Sequence, residues 1–205
     1  MKTTKILALI IATAALPMTA FAGMSPFSHN PAAVKPGTYT LNPDHGKITW
    51  SISHFGFSTY IGQFAGADST LKLDPKNLAK SSLTAKVQIA SIGTLDPALN
   101  KTLMSKPFFD AAAYPVATFV STKIIRTGPK TANIDGNLTL RGVTKPVVIK
   151  AVFNQSGINP VVNGYEVGFE GHMTLMRSEF GVSAYLPYIG NKVTLNLEGE
   201  YMLQH

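Results

Sequence analysis

The chain has no cysteine. That excludes a disulfide framework, a thiolate metal site and a lipid-bearing thiol. Its histidines, His29, His45, His54, His172 and His205, fall in no HExxH pattern or paired ligand spacing, so no zinc donor set is present. Gly-x-Ser-x-Gly and GxxxxGK[ST] are absent, no base is identifiable beside Ser178 or Ser183, and the acidic residues stand singly. Asp44 and Asp135, near Gly46 and Gly136, read as turn or bulge residues. Charge is also scarce, at 14% of residues, and the basic side chains are scattered without interleaved aromatics. This pattern argues against a nucleic-acid partner and leaves weak, transient contact with anionic membrane surfaces open. No repeat of solenoid or propeller period is visible. The expectation from these absences is a binding protein rather than an enzyme, with no metal and no cofactor.

One long stretch is apolar but for a single Thr13. Lys2 and Lys5 precede the run Ile6 to Leu16, and Ala20-Phe21-Ala22 offers small residues where a signal peptidase reads. The run is too short for a stable membrane anchor, so residues 1–22 are expected to be a cleaved signal peptide. What remains is expected to be a soluble periplasmic protein, with net charge reduced from +7 by the two lysines of the leader. Residues 23–37, rich in Pro and small side chains, read as a flexible lead-in, and 38–205 as one domain.

Within that domain the dominant signal is alternation. Tyr165, Val167, Phe169, Gly171, Met173 and Leu175 fall on one side of a strand and Glu166, Glu170, His172 and Thr174 on the other. The same reading gives strands over Lys47–His54, Thr59–Leu73, Ser82–Ala90, Val116–Ile125, Ala132–Arg141, Pro146–Asn154, Tyr165–Arg177 and Asn191–Tyr201, with a bend at Gly62 or Gly66. Asp96-Pro97 reads as an N-cap and first helical residue, and Leu99 and Leu103 follow at helical spacing, which predicts a short helix over Pro97–Ser105. The predicted fold is therefore all-β: an eight-stranded antiparallel barrel with a helical insertion between strands 3 and 4, lying over one end or face. A barrel of this size is either filled by its own side chains or holds one elongated ligand. The small inward residues Ala85, Gly136, Gly171 and Gly199 leave gaps that larger neighbours fill or that form a tunnel; the tunnel is favoured.

Two polar residues end apolar inward faces. Arg177 continues the dry side of the seventh strand, and a buried guanidinium needs an anionic or carbonyl partner. Either it makes an internal salt bridge or snorkels to the strand end, or it meets the polar end of a ligand at the cavity rim. His54 ends the first strand's inward face in the same way, as a satisfied core imidazole or as a ligand contact.

A resemblance runs through these elements. Asp44-His45, Trp50, His54-Phe55-Gly56, Gly62-Gln63-Phe64, Ser91-Ile92-Gly93-Thr94, Phe108-Phe109-Asp110, Tyr114-Pro115-Val116-Ala117-Thr118-Phe119, the run Gly136 to Lys145 and Arg177-Ser178-Glu179-Phe180-Gly181 occur in this order. Over about Thr38 to Tyr201 the chain resembles the YceI family of exported polyisoprenoid-binding proteins. The resemblance implies a lipocalin-like barrel with a polyisoprenoid or isoprenoid-quinone lipid threaded through it. Arg177 and His54 then become candidates for the ligand head. Trp50, Phe64, Phe108, Phe109, Phe119, Phe169, Met173 and Leu175 become candidates for lining the tail. Gly46, Asn100 and Thr102 depart from the family's usual Ser, Asp and His, which bears on head-group preference. The rival readings are a filled barrel acting through its outer surface in envelope stress, and an enzyme or redox accessory working on a bound quinone.

Overall fold

The computed structural model describes residues 27–204. The expected signal peptide, 1–22, and the start of the lead-in, 23–26, lie outside the described residues. In chain order the elements are β1 (Phe27–Ser28), β2 (Gly37–Leu41), β3 (Lys47–His54), β4 (Ser58–Phe64), β5 (Ala67–Leu73), β6 (Ser82–Gln88), β7 (Ile92–Gly93), α1 (Pro97–Met104), β8 (Val116–Arg126), β9 (Thr131–Leu140), β10 (Val143–Asn159), β11 (Gly164–Met176) and β12 (Ile189–Leu203).

Three of the barrel's staves are each made of two pieces. β2 and β3 lie end to end along β12, with Leu41 opposite Tyr201 and Lys47 opposite Glu198. β4 and β5 lie end to end beside them, and β6 and β7 beside those. Counting each pair once, the wall is a closed antiparallel barrel of eight strands, because β11 bonds to both β10 and β12 and so joins the two edges of the sheet. Closure leaves no long open edge among these strands. The long second strand expected over Thr59–Leu73 breaks at Ala65-Gly66, where Ala65 N donates to Ser91 O and Gly66 O accepts from Gln88 N. The strand Gly37–Leu41 was not distinguished in the sequence reading, since its alternation is too short to stand out.

The helix forms where expected. The Asp96 carboxylate accepts from Ala98 N at 2.8 Å and Leu99 N at 3.2 Å, with Pro97 in the first turn, satisfying donors that have no partner inside the helix. Leu103 and Met104 pack on Phe64, Ile89, Ile92 and Ala117, so α1 lies across the barrel end where β8 starts and β9 finishes. We call this the helix end. At the other end, the lead-in from Phe27 onward runs against the wall. Phe27 and Ser28 pair with Gly157 and Ser156, and Val34 is buried among Tyr39, Leu71, Phe153 and Val167. No helix among the described residues is long and apolar enough to cross a membrane.

A candidate lipid tunnel and its mouth

Inward side chains of the eight strands enclose a cavity of about 730 Å³, inside the range of ~300–1,000 Å³ usual for small-molecule sites. It extends from Val34, Leu73, Pro75 and Leu78 near the lead-in end to Phe55, Leu99, Phe108 and Tyr185 at the helix end. Trp50, Phe64, Phe108, Phe109, Phe119, Phe169, Met173 and Leu175 all have a place on its wall. Some of the gaps expected at small residues are filled. The Phe119 ring occupies the space where a Cβ on Gly136 would stand, and the Tyr201 ring does so at Gly199. At Gly171 a Cβ would meet Ile149 at 3.0 Å and Leu197 at 3.2 Å, while Ala85 stays on the wall of the bore with Met173 and Leu195.

The wall offers few free polar groups. The hydroxyls of Ser69 and Tyr201 are 2.9 Å apart and bond to each other. Arg177 also lies on the wall but in a 3-10 turn just past β11, only 5% exposed. Its Nε donates to Gly190 O at 2.8 Å, Nη1 to Val182 O at 2.8 Å, and Nη2 to Ala184 O and Ile189 O, both at 2.9 Å. A guanidinium has five N–H groups, so these four bonds leave one. Its partners are therefore the carbonyls of the 182–190 loop, not a carboxylate, and its evident role is to fold that loop at the mouth. Burial pulls its pKa below the usual arginine value, and the carbonyls favour the cation that donates to them.

His54 is exposed at the tip of β3 and on the cavity wall, packed edge-on to Phe55 at 4.8 Å between ring centroids. Its ring nitrogens have no hydrogen-bond partner among the described residues, so of the two expected head-group residues it is the one with free capacity. Trp50 stacks near Tyr60 at 6.2 Å, and its Nε1 is buried against Gly62 without a partner.

Only one side of the mouth was visible in the sequence, where His54 followed by Phe55-Gly56-Phe57 reads as a strand that reaches the cavity mouth and turns. Phe55 and Tyr185 both hold positive φ, 53° and 60°, a region bulky residues rarely adopt and one that is retained when surrounding contacts impose it. Phe55 N donates to Tyr188 O at 2.8 Å, its ring stacks on Tyr188 at 5.8 Å, and Tyr185 lies 6.0 Å from Phe108. Tyr185 and Tyr188 sit in a loop with no periodicity to read. Tyr60 was recoverable, since it pairs with Ile52 across the first hairpin.

The three positions that the resemblance sets apart, Gly46, Asn100 and Thr102, have different surroundings. A Cβ at Gly46 would meet the Leu41 side chain at 2.4 Å. The Asn100 side chain accepts from Thr94 N at 2.8 Å and from Thr94 Oγ1 at 2.7 Å, tying the helix to β7 rather than facing a ligand. Thr102 does line the cavity, with its hydroxyl donating to Ala98 O at 3.0 Å.

Away from the tunnel, one titratable cluster stands out. Glu166 is buried on β11; Asn159 Nδ2 donates to its Oε2 at 2.7 Å and to Glu200 Oε1 at 3.5 Å, while Oε1 of Glu166 has no partner. His45 Nδ1 lies 3.6 Å from Glu200. Burial pushes the Glu166 carboxyl up, and the nearby Glu200 carboxylate adds to that. No group of three or more His, Asp or Glu among the described residues is placed to hold a metal.

Comparison with known proteins places this architecture. Residues 39–201 match the YceI-like domain. The chain belongs to the YceI-like domain family. A UPF0312 protein of Pseudomonas savastanoi pv. phaseolicola is 43% identical over 138 residues, 67% of this chain and 71% of its own. Among solved structures, Burkholderia cenocepacia BcnA is similar with a TM-score of 0.71 at 24% identity, covering 78% of this chain and 98% of its own. A polyisoprenoid binding domain from Saccharophagus degradans, implicated in plant cell wall breakdown, has a TM-score of 0.63 at 12% identity and covers 83% of this chain and 100% of its own. At those identities the two structures establish the shared barrel fold. This YceI-like chain thus has the family's fold with an apolar bore inside it.

Proposed function

We propose that the protein holds a long isoprenoid chain inside its barrel and carries or stores it in the periplasm. The observation that carries this reading is the apolar cavity reaching from the lead-in end to the aromatic mouth. The likeness to a polyisoprenoid binding domain and the signal-peptide pattern of residues 1–22 support it.

The energetics divide the work between bore and mouth. Burying one CH₂ from water is worth about 0.8 kcal/mol, so a tail of tens of carbons scored against water would pass the observed ceiling on affinity. The tail comes from a bilayer that is already apolar, and its transfer gains little. The bore therefore supplies capacity, and the mouth supplies preference for a head. With most of Arg177's donors occupied by the loop, His54 is the group best placed to meet a quinone carbonyl or phosphate oxygen. As a binding protein it needs no reacting group in the bore.

The test is to extract the purified protein with organic solvent and analyse the extract by mass spectrometry. A prenyl lipid at about one per chain is expected, and its mass gives head and tail. An empty barrel would overturn carriage and favour action through the outer surface. A chemically altered prenyl lipid, formed only when active protein is present, would favour the enzyme reading.

A further inference from the structure

We propose that the helix end docks on the surface of a phospholipid bilayer containing anionic lipid, with Phe57 and Leu95 entering the headgroup layer. This takes the isoprenoid reading for its purpose. Phe57, at the tip of the β3–β4 hairpin, is 91% exposed, and Leu95, just before α1, is fully exposed. Beside them Phe55, Tyr185 and Tyr188 are also solvent-facing. An apolar rim of this kind on a soluble domain marks an interaction surface.

Two observations select a bilayer as the occupant. The rim is continuous with the cavity, since Phe55 and Tyr185 belong to both. A hydrocarbon tail can then pass between bilayer and bore without crossing water. The charge at this end is also complementary to anionic lipid. Exposed Lys101, Lys106, Lys145 and Lys192 belong to the elements of this end, against Asp96, Asp110 and Glu179, while Arg141 donates to the carbonyls of Lys106 and Gly181. None of these lysines is in an ion pair among the described residues. Phe and Tyr beside Lys is the composition that settles at a membrane–water interface. At the lead-in end the exposed apolar residues, Ile158, Val161 and Val162, are aliphatic, lie on the β10–β11 hairpin and are not on the cavity wall.

The experiment is co-sedimentation of the purified protein with vesicles of phosphatidylethanolamine and phosphatidylglycerol. Wild type is expected to sediment with them. The double variant Phe57→Glu, Leu95→Glu is expected to lose binding by roughly tenfold, with thermal midpoint and extracted isoprenoid unchanged, because neither residue lines the bore. Equal binding by variant and wild type, or none by either, overturns the proposal. So does a wild-type dimer in sedimentation velocity that the variant converts to monomer, since the rim would then belong to a second copy. Binding that persists undiminished on phosphatidylcholine alone overturns the anionic-lipid part. Isoprenoid in the extract without vesicle binding sinks docking and leaves carriage standing. Rim-dependent vesicle binding with no isoprenoid sinks carriage and leaves docking standing.

Discussion

The two ends of the barrel place their apolar side chains differently. At the lead-in end, Val34 is laid over Tyr39, Leu71, Phe153 and Val167, and the wet apolar residues Ile158, Val161 and Val162 stand on a hairpin off the cavity wall. At the helix end, Phe55, Phe57, Leu95, Tyr185 and Tyr188 face outward around an opening, and two of them hold a backbone conformation that costs energy. Side chains left wet and held in place are explained by something that covers them in use; side chains packed away are explained by folding alone. On the proposed reading, the difference assigns ligand traffic and fold stability to opposite ends.

The comparison can be broken in several ways. The largest effect is expected from closing the bore between the two ends. Ala85→Phe adds a ring to the wall beside Phe119 and should reduce isoprenoid per protein at least about tenfold while the cylinder still folds, overpacking costing about 1–3 kcal/mol; mass spectrometry of the extract checks it. Next, Arg177→Leu strips the 182–190 loop of four hydrogen bonds from one cation. A loss of about 3 kcal/mol or more in urea unfolding is expected, and Lys should not rescue it, because an ammonium cannot span those four carbonyls. A fully stable variant with weak ligand binding would instead return Arg177 to the head-group site. A smaller effect is expected at His54. His54→Leu should weaken a quinone- or phosphate-headed prenyl lipid by about 1 kcal/mol, roughly fivefold, measured by ligand titration, and leave stability alone.

Away from the mouth, toward the lead-in end, the expected signature is in stability. Because the Glu166 pKa is raised in the fold, the native state holds a proton that the unfolded chain releases, so this group's contribution fades as pH rises above the ordinary carboxylate value of 4.5. Glu166→Gln should therefore raise the thermal midpoint at neutral pH, with the gain shrinking on acidification. A gain independent of pH would contradict this. The smallest expected effect is none: Val161→Glu, at an equally wet aliphatic tip, should not change vesicle binding. If it weakens binding as much as the changes at Phe57 and Leu95, the two ends do not differ as described.

Much of the barrel was legible because its code is local. Alternation along β11 and β12 assigns Phe169, Met173, Leu195 and Leu197 to the interior without knowledge of the partner strands, and Asp96-Pro97 announces the helix by capping chemistry alone. The partner of Arg177 was not legible. Alternation gives the side its strand faces, but its partner carbonyls come from Val182 and Ala184 in a loop and from Ile189 and Gly190 at the start of β12, and the path between them depends on the whole mouth. The cavity's size was also out of reach, since Gly136 and Gly199 look like gaps until Phe119 and Tyr201 are seen to fill them. The turn Phe55-Gly56-Phe57 was legible as the end of a strand at the mouth, but Leu95 and Tyr188 escaped notice because they sit where no period separates wet from dry.

The interruptions at residues 42–46, 65–66 and 89–91 fall side by side, so one crease crosses three neighbouring staves of the cylinder. Beyond it, β3, β4 and β7 form a panel held to the remaining wall through the β3–β12 ladder. The gauge of the opening is thus adjustable by insertions or substitutions along the crease, leaving the other five staves in step.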